Sequence, residues 1–105
     1  MKKTNRDIAV NLKERLSPKV PLIDFRLFGS RARDDFDENS DMDVFIELEE
    51  VTQEMRTVIA DTAWELGLEN LIHISPIVFS RHEIEDTPQR SSPLVRNILR
   101  EGIRI

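Results

Sequence analysis

Apolar residues recur along the chain with two alternating periods, about 3.6 and about 2 residues, the repeats of a helix face and a strand face. Ile8, Leu12 and Leu16 stand four residues apart behind Thr4 and Asn5, either of which suits an N-cap, and Pro18 halts the run. The spacing predicts an amphipathic helix. In the stretch Leu22 to Phe28, Ile23, Phe25 and Leu27 alternate with Asp24 and Arg26, predicting a strand that runs into Gly29. Residues 43–48 alternate again, with Val44, Ile46 and Leu48 on one face and Asp43, Phe45 and Glu47 on the other.

A long helix should follow, capped near Thr52 and stopped by Gly67 at C′, with Met55, Val58, Ile59, Thr62, Ala63 and Leu66 in one stripe. Trp64 within it is expected to be a packing anchor. Leu71 to Phe79 reads as a third strand, in which Pro76 implies an edge or a bulge. Ser92-Pro93 is an N-cap followed by proline at N1; Leu94, Val95, Ile98 and Leu99 supply the stripe of a last helix, and Gly102 closes it. Helices alternate with strands, without an internal repeat or a long linker. The expectation is an α/β (α+β) fold in a single domain, residues 1–105, with a small mixed sheet of three to four strands flanked by helices.

Composition narrows the chemistry. Of 105 residues, 39% are apolar and 33% charged, enough for a core and against disorder. No apolar run approaches the ~20 residues of a spanning helix, and the opening residues lack the apolar stretch of a signal peptide, so no membrane association and a cytoplasmic location are expected. The absence of cysteine excludes disulfides, thiolate metal sites and cysteine nucleophiles, and His73 and His82 are isolated, so any metal would be held by oxygen. His73 is expected to be an ordinary strand residue and His82 a surface one.

The net charge of −5 is distributed unevenly: nine acids and no base lie between Asp34 and Glu50, whereas Arg90, Arg96, Arg100 and Arg104 face only Glu101 near the end. Acidic runs are usually solvated faces. This one holds a constellation. Gly29-Ser30 after a strand lets backbone approach a ligand, and a helical turn starting at Ser30 would aim N–H groups at an anion, a phosphate seat. Asp41 and Asp43 leave one face at the mouth of the next strand and could share a cation. Mg²⁺ suits them, being hard and commonly bridging carboxylates to nucleotide phosphates.

Taken together, Leu27 to Glu47 closely resembles the signature of the polymerase-β-like nucleotidyltransferases, particularly the minimal nucleotidyltransferases. That signature is Gly-Ser-x-Ala-x-Gly, then Ser-Asp-x-Asp, then an apolar strand; here it is Gly29, Ser30, Ala32, Ser40, Asp41 and Asp43. The resemblance covers about a fifth of the chain. It implies that ATP is the substrate, that Gly29 and Ser30 grip its phosphates, and that Asp41 and Asp43 are catalytic and ligate Mg²⁺, two ions in an active enzyme. A hydroxyl on protein or RNA would attack the α-phosphorus and receive a nucleoside monophosphate. Arg31, Arg33 and Ser40 are the further nucleotide-binding candidates, although arginines at i and i+2 of a helix cannot share a face.

The chain departs from that pattern twice. Asp34 replaces the second glycine, and the third carboxylate of active members is missing from the third strand, where Ser75, or His73 in a shifted register, takes its place. Glu47 is ~13 Å along the strand from Asp43, too far to substitute, and Asp24 could help only if strand pairing brought it across. The resemblance therefore leaves open a catalytically weak, nucleotide-binding module of antitoxin type that grips a helical HEPN partner. Direct nucleic-acid binding is unlikely for an acidic chain without tyrosine.

Overall fold

The computed structural model describes residues 4–33, 37 and 39–105. Helix α1, Asn5–Leu16, begins at Thr4 in a capping box: the Thr4 hydroxyl accepts from the Asp7 N–H and the Asp7 carboxylate accepts from the Thr4 N–H. Strand β1 is Leu22–Phe28, followed by a single helical turn, α2, Ser30–Arg33. Strand β2 is Met42–Leu48, helix α3 is Gln53–Asn70 and strand β3 is Ile74–Ser80. Helix α4, Arg81–Asp86, a 3₁₀ turn, Pro88–Ser91, helix α5, Pro93–Glu101, and the short strand β4, Ile103–Arg104, complete the order.

The four strands lie in the order β3-β2-β1-β4, with β2 antiparallel to β1 and parallel to β3. This is the small mixed sheet that the alternation of elements predicted. Because side chains alternate across a strand, the sheet carries two cores. One face presents Phe25, Leu27, Val44, Ile46 and Leu48 to Leu12 and Leu16 of α1 and to Ile59, Ala63 and Leu66 of α3. On the other face Phe45 and Phe79 pack under Ile84 of α4 and Val95 and Ile98 of α5, with the two rings 5.8 Å apart between centroids.

That second face has a polar position at each end of its apolar middle. The register pairs Asp43 with Phe28 and Ser75 at one end and Glu47 with Asp24 and Phe79 at the other. Asp24 therefore stays away from Asp41 and Asp43, as Glu47 does.

Several boundaries differ from the sequence reading. Gly67 does not end α3; the helix runs to Asn70, and Leu71 caps it in the left-handed conformation at φ 55°. Gly67 serves a close approach instead, since a Cβ there would lie 2.6 Å from the Ile72 carbonyl oxygen. Trp64 is no packing anchor: it is 63% exposed, on the outer flank of α3. The third strand starts at Ile74 rather than Leu71, and Pro76 sits in an edge strand as expected. Strand β4 carried too few residues to show a pattern; it is held by the Ile105 N–H donating to the Phe25 carbonyl.

Among the described residues no helix is long and apolar enough to cross a membrane.

Candidate active site

Gly29, Asp41 and His73 meet at one end of the sheet, because β1 ends where β2 and β3 begin. Gly29 has φ +77°, a conformation that costs any residue with a Cβ about 1 to 2 kcal/mol. Its carbonyl accepts from the Ala32 and Arg33 N–H groups, which closes the α2 turn. A Cβ at this position would lie 2.5 Å from Asp43 Oδ2, so the bare backbone of the turn is packed directly against the carboxylate. Ser30 opens the turn and is partly exposed beside this contact.

Asp41 and Asp43 project from the same face, Asp41 exposed and Asp43 partly buried. Burial, and then the neighbouring Asp41 charge, push the Asp43 carboxyl above its ordinary range, against the opposing pull of Arg33 and His73. His73 Nδ1 lies 3.3 Å from Asp41 Oδ1. It stands just before β3 and is exposed, so its partner is a site carboxylate rather than an ordinary strand group. His82 is exposed beside Asp86, 3.3 Å away, as a surface residue.

The two arginines of α2 part company. Arg33 is exposed, whereas Arg31 is only 7% exposed and donates from Nε to the Ser40 carbonyl at 2.9 Å and from its guanidinium to Asn5 Oδ1 at 2.8 Å. It thereby ties α1 to the residue immediately before Asp41. Nothing in the sequence separates Arg31 from Arg33 except the rule that they cannot share a face, and Asn5 offers no signal of its role. Ser40 itself closes the loop: its hydroxyl accepts from the Asp37 N–H and its own N–H donates to the Asp37 carbonyl. Asp34, Asp35 and Glu38, including the position of the missing second glycine, lie outside the described residues.

The parallel pairing of β2 with β3 sets Ser75 beside Asp43 on the same face. Ser75, rather than His73, is thus the strand position where a third carboxylate would join the pair. Among the described residues no cluster of three or more histidine or acidic side chains is placed to hold a metal ion. The donor set among the described residues is two carboxylates. That suits a hard cation which completes its shell with water and with oxygens of a phosphate ligand, and such a cation would also relieve the repulsion that Asp43 feels from Asp41.

The glycine turn thus lies against Asp43, the second of the two neighbouring carboxylates. Residues 10–105 match the family described as nucleotidyltransferase domain. A protein of Methanocaldococcus jannaschii named "Putative protein adenylyltransferase" is 37% identical over 82 residues, covering 77% of each chain. The match takes in all the elements from β1 to β4 that build this end of the sheet, and the chain belongs to the nucleotidyltransferase domain family.

Proposed function

We propose that the chain is a Mg²⁺-dependent adenylyltransferase that moves AMP from ATP to a hydroxyl of a protein. The observation that carries this reading is the contact between Gly29 and Asp43, which joins the glycine turn to a carboxylate pair with no side chain between them. The name of the M. jannaschii relative favours a protein over an RNA acceptor.

In this reading Gly29 and Ser30 would seat the β and γ phosphates, and Asp41 and Asp43 would hold the cation. The bound cation supplies charge neutralisation and lowers the pKa of an attacking hydroxyl. Arg31 acts from below by fixing Ser40, and with it the direction in which Asp41 leaves the backbone. Arg33 sets positive charge near Asp43, where phosphate charge would arrive. The acceptor oxygen forms its bond to the α-phosphorus as the bond to pyrophosphate breaks, and the acceptor proton passes to solvent.

Incubation of the purified protein with α-labelled ATP, Mg²⁺ and candidate proteins tests the reading. Label on a protein, lost in the Asp41→Asn, Asp43→Asn double variant, is the expected result; label on RNA alone, or on nothing, contradicts it. A second reading is favoured by Ser75, since a site with two acids binds Mg-ATP better than it activates a hydroxyl. In that reading the chain is a nucleotide-binding, antitoxin-like module for a helical HEPN partner, and the same experiment would show retained nucleotide without transfer.

A further inference from the structure

A groove of about 540 Å³ opens beside this end of the sheet, between the exposed flank of α3 and the start of the edge strand β3. Its walls include Ala63, Trp64, Gly67, Leu68 and Leu71, and its lip is formed by Ser40 and His73. His73 is the same residue that lies 3.3 Å from Asp41, so the groove and the carboxylate pair are contiguous.

Three of these side chains are largely left out of the core. Trp64 is 63%, Leu68 59% and Leu71 90% exposed, and at positions i, i+4 and i+7 they form one stripe. Leu71 is the most telling. It occupies a left-handed helix cap at φ 55°, where glycine or asparagine is easier, and it buries almost nothing. Neither backbone nor packing asks for leucine there.

The sheet order gives the groove a direction. The phosphate turn follows β1, the carboxylates stand at the start of β2, and the groove opens beside the start of β3, so all three lie at one end of the sheet. With pyrophosphate over Gly29, the groove stands on the other side of the carboxylates in strand order, where an acceptor would approach. Outside the groove lining, the exposed Asp61 stands one turn before Trp64, the exposed Glu65 follows Trp64 and also faces Arg15, and Asp37 stands beside Ser40. An acidic rim repels a nucleic-acid backbone and attracts basic side chains.

We infer that the Trp64–Leu68–Leu71 groove docks the acceptor as a polypeptide segment, with a large apolar side chain in the groove, lysine or arginine against the acidic rim, and the hydroxyl carried past His73 to the carboxylates. This inference rests on the transferase reading for its direction, but not for its test.

Trp64 is the single tryptophan of a chain that lacks tyrosine, so its emission reports the groove directly. The probe is a short synthetic peptide with arginines, a leucine and a serine in succession. The controls replace its arginines by glutamate or its leucine by serine, and a uridine oligonucleotide of matching length is the third. The basic, leucine-bearing peptide is expected to shift the emission to shorter wavelength and to saturate, while the controls bind about tenfold more weakly or not at all. Leu71→Asn suits the left-handed cap and should leave the fold intact while weakening peptide binding about fivefold to tenfold, with Mg-ATP affinity unchanged. An unmoved spectrum, an equal response to the glutamate peptide or the oligonucleotide, or parental peptide affinity in Leu71→Asn overturns the inference. An emission shift without any AMP transfer overturns the transferase reading and leaves the groove assignment standing.

Discussion

Gly29 and Asp43 touch so closely that the glycine's missing Cβ would lie 2.5 Å from the carboxylate oxygen. The turn and the acid are therefore one unit, and a change in either displaces the other. Gly29→Ala combines this collision with the strain of φ +77°. It should cost about 1 to 2 kcal/mol of stability, read by denaturant titration. The larger effect should fall on Mg-ATP affinity, because the Asp43 side chain must rotate away. A variant that keeps parental nucleotide affinity would show that the two groups do not form one site.

Arg31 should behave as a positioning residue. Arg31→Met fills the space but removes the bonds to the Ser40 carbonyl and Asn5. With two part-buried acceptors losing their donor, a loss of about 1 to 3 kcal/mol is expected, together with weaker Mg²⁺ dependence of nucleotide binding. Arg33→Met, at an exposed position, should cost clearly less. Equal stability losses in the two variants would refute the distinction.

Ser75 pairs with Asp43 across β2 and β3. Ser75→Asp should place a third carboxylate beside the existing pair. Without metal, like charges so close destabilise the fold; with Mg²⁺, binding to the folded state alone stabilises it. Thermal melts should therefore show a lower midpoint without Mg²⁺ and a larger Mg²⁺-induced rise than in the parent. A Mg²⁺ response no greater than parental would mean that the side chain at 75 does not reach the pair.

Glu47 carries the pH prediction. Its carboxyl is buried on the second face, and burial, followed by the facing Asp24 charge and then Glu85 and Glu49, raises its pKa despite Arg81. An acid whose folded pKa lies above its unfolded value binds its proton more tightly when folded. Its contribution is fully present below the unfolded pKa and is lost as pH rises through the folded one. Glu47→Gln should thus raise the melting temperature at neutral pH by a few degrees, and the gain should shrink as pH falls through the raised pKa. A gain independent of pH would assign the effect to something other than ionisation.

The sequence pattern made the sheet and most of the site legible for a physical reason. Alternation places Val44 and Asp43 on opposite faces whatever surrounds them, and Gly29-Ser30 and Asp41–Asp43 are local arrangements that need no tertiary knowledge. What escaped depends on tertiary packing. Gly67 looks like a helix stop until the Ile72 carbonyl is seen to need its space, and Trp64 looks like core because the outer flank of α3 follows from the sheet order. Arg31 and Asn5 lie on elements far apart in sequence, and only folding reveals that they meet.

In the proposed function Asp41 and Asp43 bind the cation of a nucleotide seated at Gly29 and Ser30. Isothermal titration of ATP into the protein with and without Mg²⁺, compared with the Asp41→Asn, Asp43→Asn double variant, tests it most directly. Both substitutions keep shape and remove charge. Tight binding that requires Mg²⁺ is expected in the parent and a loss of that requirement in the variant, with affinity falling about tenfold or more. Mg²⁺-dependent ATP binding that survives the double substitution unchanged would contradict it.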